Sequence, residues 1–224
     1  MDKDTIKRLI IEYQQFVANI TLIEREIHLS HQLNYVFVGL RRAGKSYLMY
    51  QQIQNLLNDG HQPEEILYFN FEDDRLVNLT VEDLDLIKVS YEELYPHKPI
   101  FFLDEIQIVE HWEKFARRLA DQQYRVYITG SNAKMLSAEI ATTLGGRYIV
   151  QNVYPFSFSE FLKASKIEIG PTWYYKNRTE IVRTFSDYFS YGGLPELMLI
   201  ETIEKRQWLS NLFNKIFFVD LITR

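Results

Sequence analysis

The chain has 224 residues, 46% of them hydrophobic and 25% charged, with a formal net charge of -5. That is the composition of an ordinary globular protein with room for one sizeable core, and its acidic balance argues against an overall basic surface for gripping long nucleic acid, though not against a local patch. The absence of cysteine excludes disulfides, Cys-ligated zinc, iron–sulfur clusters and a thiol nucleophile.

From the amino terminus, Met1 to Thr5 lack a basic-then-apolar leader, and nowhere does the sequence approach the about 18 uninterrupted apolar residues of a membrane helix. A cytoplasmic chain without membrane contact is the expectation. Ile6, Leu9, Ile10, Tyr13 and Val17 recur at helical spacing and predict an amphipathic helix in an amino-terminal flank, residues 1–30. Short apolar runs bounded by turn residues then predict strands over 35–38, 66–71, 100–103, 124–129 and 148–153. Between them, 3.6-residue periodicity predicts helices over 45–59, 81–95, 111–120 and 133–144, ended by Gly60, Pro96 and Gly145-Gly146. In the helix over 111–120, Trp112, Phe115 and Leu119 face inward. Lys114, Arg117 and Arg118 face outward, as a salt-bridged surface or as a phosphate-binding patch.

Strands alternating with helices of this length imply an α/β fold with right-handed crossovers and a parallel five-stranded sheet sandwiched by helices. The core spans 31–155. After Pro155 the pattern turns to helices alone, over 157–164, 179–191 and two more beyond Pro195, so 156–224 reads as a small helical lid. Its last apolar run, 212–222, stops at Arg224 without capping residues, which predicts a further carboxyl-terminal domain or a protein partner.

Gly39-Leu40-Arg41-Arg42-Ala43-Gly44-Lys45-Ser46 matches the G-x-x-x-x-G-K-[ST] phosphate loop, a pattern arising by chance in on the order of one in a hundred chains of this length. It follows a predicted strand and opens a predicted helix, as the chemistry requires. Gly39 and Gly44 let the backbone curl so that N–H groups converge on phosphate, and the helix dipole adds positive potential. Lys45 reaches the β- and γ-phosphates, the Ser46 hydroxyl is placed for Mg²⁺, and Tyr47 borders the site. Arg41 and Arg42 could touch phosphate, pair with an acid or face water.

Ile100-Phe101-Phe102-Leu103 carries Asp104 and Glu105 to the carboxyl edge of the sheet. Asp104 is placed to serve the Mg²⁺ shell, and Glu105 to orient and polarise a water for attack on the γ-phosphate. A water-activating glutamate favours hydrolysis over transfer to a small-molecule acceptor.

The motifs Gly39 to Ser46, Tyr68-Phe69-Asn70-Phe71-Glu72-Asp73, Phe102-Leu103-Asp104-Glu105-Ile106-Gln107, Thr129-Gly130-Ser131-Asn132-Ala133-Lys134, Gly146-Arg147-Tyr148, Pro155 to Phe161 and Gly192-Gly193-Leu194-Pro195-Glu196 run in order along nearly the whole chain. In these it resembles the P-loop ATPases of the AAA+ and STAND group. More narrowly, it looks like prokaryotic ATP-binding proteins in which an ATPase core precedes a nuclease-like domain of unknown function.

The resemblance implies ATP with Mg²⁺ as the nucleotide and a fourth strand between the phosphate-loop strand and the acid-bearing strand. It further implies a γ-phosphate sensor at Ser131 or Asn132, either of which also suits a helix cap. Arg147 takes the position of an arginine that reaches a neighbouring subunit's nucleotide in a homo-oligomer, or is a surface residue beside the glycines. Pro195, in a G-x-P element, takes the position of a proline near adenine, in a stretch that is a turn in any case.

The leading expectation is an Mg²⁺-dependent ATPase whose hydrolysis drives a conformational change between core and lid. The alternatives are a binding switch that holds ATP or ADP with little turnover and an ATP-driven device acting on nucleic acid.

Overall fold

The computed structural model describes residues 2–30, 32–76, 79–130, 143–167, 170 and 172–216, with backbone alone at 173 and 174. The elements of its first part are α1 (Lys3–Asn19), β1 (Asn34–Val38), α2 (Lys45–Asn58), β2 (Ile66–Asn70), α3 (Val81–Leu94), β3 (Ile100–Asp104), α4 (Trp112–Asp121), β4 (Val126–Gly130) and β5 (Tyr148–Asn152). All five strands are parallel and their spatial order is β2-β3-β4-β1-β5. β4 therefore lies between the phosphate-loop strand and the acid-bearing strand, as the resemblance implies.

Each helix begins and ends for a local reason. Asp2 caps α1 by accepting the Thr5 N–H at 2.8 Å, and the five residues at helical spacing, Ile6, Leu9, Ile10, Tyr13 and Val17, are its buried face. That face packs on α3, β2 and α2. Thr80 and Asp83 form a reciprocal capping box at the start of α3. α4 buries Trp112, Phe115 and Leu119 as expected, while Arg118 pairs with Asp85 at 2.5 Å on the outer surface.

The strand expected from Tyr124 starts instead at Val126. Gln123 adopts a left-handed φ of 59° after α4, and the Tyr124 N–H turns back to the Leu119 carbonyl at 3.0 Å, so Tyr124 belongs to the helix stop. The helix expected over 133–144 lies almost entirely outside the described residues.

The core is strongly aromatic. Phe37, Phe69, Phe101, Phe102, Tyr68 and Tyr127 are fully buried, and Phe102 stacks on Tyr127 with centroids 4.5 Å apart and planes 5° apart. Burying each such side chain stabilises the fold by roughly 1.5–3 kcal/mol. The aromatic layer fixes the strands, and with them the sheet's carboxyl edge.

The chain divides into two compact units, the first made of 1–22, 28–39 and 45–152, the second of 23–27, 40–44 and 153–224. The second unit contains α5 (Phe158–Ala164), a single turn at Trp173–Lys176, α6 (Arg178–Tyr191), a 3-10 helix (Pro195–Leu199) and α7 (Thr202–Lys215). Of the two helices expected beyond Pro195, one is this 3-10 helix and the other is α7. Leu162, Ile167 and Ile181 form a small core in this unit, with Phe158 packed against it. Among the described residues no helix is long and apolar enough to cross a membrane.

Candidate functional site

The phosphate loop leaves β1 at Gly39 and enters α2 at Lys45. Its turn is closed by the Ala43 N–H donating to the Leu40 carbonyl at 3.2 Å. Arg42 at φ 64° and Gly44 at φ 94° both lie in the left-handed region, and alternation of this kind turns successive N–H groups toward one side as an anion nest. The amides opening α2 have no intrahelical acceptor and carry the positive end of the helix dipole, so the start of this helix by itself suits an anion.

Lys45 is buried at 5% exposure, its ammonium 3.3 Å from the Gly39 carbonyl and 3.8 Å from a Glu105 carboxylate oxygen. It lies across the loop rather than extending into water.

Asp104 is the hub of the first unit's polar cluster. One carboxylate oxygen accepts from Ser46 Oγ at 3.1 Å and from Thr129 Oγ1; the other accepts from Tyr68 Oη at 2.8 Å, which is in turn 3.0 Å from Tyr50 Oη. The register explains the convergence. Leu103 pairs with Ile128, so Asp104 and Thr129 are neighbours on adjacent strands, while Tyr68 pairs with Phe102, two residues before the aspartate on the same face. Burial raises the Asp104 carboxyl above its ordinary value, against the opposing hydrogen bonds from Thr129, Tyr68 and Ser46. Burial likewise pushes the Tyr50 hydroxyl up to about 12 and Tyr68 well above the ordinary range, keeping both phenols protonated as donors.

Glu105 takes a left-handed conformation, φ 56°, at the end of β3, an uncommon state for a non-glycine residue. Its N–H donates to Thr129 Oγ1 at 2.8 Å, so one hydroxyl ties both acids to β4. Its carboxylate accepts from the Gln107 side chain and faces Lys45. Ser46 Oγ and the Asp104 carboxylate are hard oxygen donors of the type Mg²⁺ takes, and that ion commonly needs only one or two protein ligands beside substrate phosphates and water.

In the second unit the turn residues of the loop meet the Gly-Gly-Leu-Pro stretch. A Cβ on Gly44 would lie 3.8 Å from Pro195 Cγ and 3.2 Å from an Arg25 nitrogen. Arg42 pairs with Glu196, and its guanidinium lies 5.3 Å from the centroid of the Trp208 ring. Gly193 cannot carry a side chain, because a Cβ there would fall 2.2 Å from the Phe156 carbonyl oxygen.

The structure thus brings Lys45, Ser46, Asp104 and Glu105 together in the first unit, and the loop turn and Pro195 together in the second. Leu40 and Tyr47 are more than half exposed, and Tyr47 leans on Tyr50. Arg147 is not at this edge. It precedes β5, its carbonyl accepts from Asn34 at the start of β1, and its guanidinium pairs with Asp121. Ser131 and Asn132 lie outside the described residues. Asn70 and Asp73 stabilise their own loop: the Glu72 N–H donates to Asn70, and Asp73 accepts from Tyr13 and Arg75.

Tyr68, Thr129 and Arg25 were not among the sequence candidates. Thr129 is the last residue but one of β4, close to the expected sensor residues in sequence, which is a usable signal. Tyr68 opens one of the quoted motifs, but nothing local points to its contact with Asp104, and Arg25 lies in no motif, because the partners of both are distant in sequence.

Comparison with known proteins places this geometry in context. Residues 31–162 match the family described as AAA domain. An uncharacterized protein of Methanocaldococcus jannaschii is 33% identical over 99% of this chain and 50% of its own length. An uncharacterized protein of Haemophilus influenzae is 34% identical over 91% of this chain and 51% of its own. A second uncharacterized Methanocaldococcus jannaschii protein is 30% identical over 57% of this chain and 27% of its own. The chain spans about half the length of the first two relatives.

Proposed function

The chain belongs to the AAA domain family, and from that premise we propose that it is an Mg²⁺-dependent ATPase of STAND-like organisation whose hydrolysis drives a conformational change in its helical residues. The observation that carries this reading is the pairing, at the carboxyl end of β3, of Ser46 with Asp104 by a hydrogen bond and of Lys45 with Glu105 by an ion pair.

In this reading Lys45 and the loop amides bind the β- and γ-phosphates. Ser46 and Asp104 hold Mg²⁺, which when bound neutralises charge on the phosphoryl oxygens. Glu105 exchanges its Lys45 contact for a water and accepts that water's proton as its oxygen bonds to the γ-phosphorus, while the bond from that phosphorus to the bridging oxygen breaks and ADP leaves with the bridging electrons. Ser131 or Asn132 senses the γ-phosphate, and Pro195 contacts adenine. Arg147 serves a neighbouring copy's nucleotide: on its own chain it stands at the start of the strands, a strand length of roughly 13–17 Å from the loop edge. The other half of the relatives' length offers a further domain as recipient of the conformational change. Action on nucleic acid, the alternative drawn from the sequence resemblance alone, is tested by a salt-sensitive shift on DNA.

A second reading, a nucleotide-binding switch with little turnover, draws on the Glu105 side chain itself, which faces Lys45 and Gln107. Steady-state ATP hydrolysis with Mg²⁺ over a range of protein concentrations separates the two. Turnover that vanishes in Lys45→Ala, and whose concentration dependence vanishes in Arg147→Ala, supports the ATPase. Tight ATP binding without turnover at any concentration leaves the switch.

A further inference from the structure

Arg25 is a buried arginine, 5% exposed, outside every motif named above. Its guanidinium is spread over partners in the second unit that include Glu160, Ala43 and Tyr154. Nε donates to Glu160 at 2.8 Å, Nη1 to the Ala43 carbonyl at 3.0 Å and Nη2 to the Tyr154 carbonyl at 2.7 Å, with the Phe156 ring centroid 5.1 Å away. Glu160 is itself fully engaged. It sits in the first turn of α5 and accepts from the backbone N–H groups of Glu26 at 2.9 Å and Ser157 at 2.8 Å. Although burial opposes it, these hydrogen bonds and that from Arg25 hold the Glu160 carboxyl below its ordinary value. Beside them Glu26 pairs with Lys163 at 2.9 Å and accepts from Ser159 at 2.8 Å, fastening the 25–26 segment to α5 a second time.

A buried ion pair of this kind is costly to desolvate, so its geometry has to be met nearly completely. The planar fork of arginine meets it where a lysine could satisfy only part.

The consequential contact is the one to Ala43. The peptide unit joining Ala43 to Gly44 is planar and trans, so the carbonyl of Ala43 and the N–H of Gly44 point in opposite directions within one rigid plate. Fixing the carbonyl therefore aims the amide. Gly44 at φ 94° has no side chain to hold that plate, and the fork grips it from behind.

We propose that Arg25 is a positioning residue that presets the Gly44 N–H for phosphate, with Glu160 as its anchor on α5, so that nucleotide occupancy is felt at the start of the helical segment. This rests on the ATP-binding reading above. The tests use the whole chain with a fluorescent methylanthraniloyl-ATP probe, and pair probe affinity with melting in the presence and absence of ATP.

Arg25→Lys keeps the charge and loses the fork, and is expected to weaken probe binding at least about tenfold, the scale of one charge-assisted hydrogen bond. It should also shrink the ATP-induced rise in melting temperature. Glu160→Gln should change both in the same direction by less. A purely structural residue would lower melting without nucleotide and leave affinity intact, so both variants binding within twofold of wild type overturns the proposal. If Arg25→Lys does not fold, Glu160→Gln decides. If neither folds, Arg25 is a folding residue and the proposal falls. Wild type failing to bind the probe defeats the ATP reading itself, and that control is separate from the variants.

Discussion

Thr129 and Asp104 meet across neighbouring strands, the Thr129 hydroxyl donating to the aspartate while accepting the backbone N–H of Glu105. A single side chain thus sets the orientation of both acids. Thr129→Val keeps the shape, removes the hydroxyl and leaves a buried N–H without its acceptor. Stability should fall by about 1–3 kcal/mol, read from denaturant midpoints. ATP turnover should fall roughly 10–100-fold, the range seen when groups that orient metal ligands are lost. Wild-type turnover in this variant would mean that the acids are oriented by other contacts.

Glu105→Gln separates binding from chemistry. The amide preserves the volume but cannot accept a proton from water, so turnover should drop on the order of 10²–10⁴-fold while ATP affinity stays near wild type. Pre-steady-state binding and single-turnover measurements give the two quantities independently. Equal loss of both would show that Glu105 organises the loop through Lys45 rather than activating water.

Gly193→Ala tests the stretch before Pro195. The added methyl would collide with the Phe156 carbonyl, whose own N–H donates to the Gly193 carbonyl at 2.7 Å, so the backbone has to move. Overpacking of this sort costs about 1–3 kcal/mol. Limited proteolysis should show earlier cutting beyond Val153. A protease pattern identical to wild type would show that the turn absorbs the methyl.

Acid should weaken the fold through Asp73. The Arg75 guanidinium, with the Tyr13 hydroxyl, holds this carboxyl far below its ordinary 3.8, outweighing burial. A folded pKa below the unfolded one means the unfolded chain binds more protons, so this stabilisation is present above about pH 4 and is lost as pH falls through the folded pKa. Denaturant midpoints should decline below about pH 4, and Asp73→Asn, less stable at neutral pH, should decline less steeply. Equal slopes would place the acid sensitivity in other groups.

Much of the molecule was legible beforehand because its signals are local. Strand and helix periods are carried by neighbouring residues, and the amphipathic faces of α1 and α4 were read to the residue. The phosphate loop and the Asp104-Glu105 pair are contiguous and bounded by a strand, so their placement at the sheet edge followed from the α/β pattern. At Tyr124 strand and helix stop compete locally, and the left-handed Gln123 settles the choice as a helix stop.

The sequence by itself determined the fold class, the phosphate loop and the acids that face it, because each depends on residues within a few positions of one another. Tertiary structure decided what holds those groups still. Tyr68 on Asp104 with Tyr50 behind it, Thr129 under both acids, and Arg25 behind the Ala43 carbonyl join residues that meet only through sheet register and chain return. Tertiary structure also set Arg147 at the opposite end of the strands from Asp104 and Glu105. Contacts of this kind depend on which strands become neighbours, and short-range periodicity carries no record of that choice.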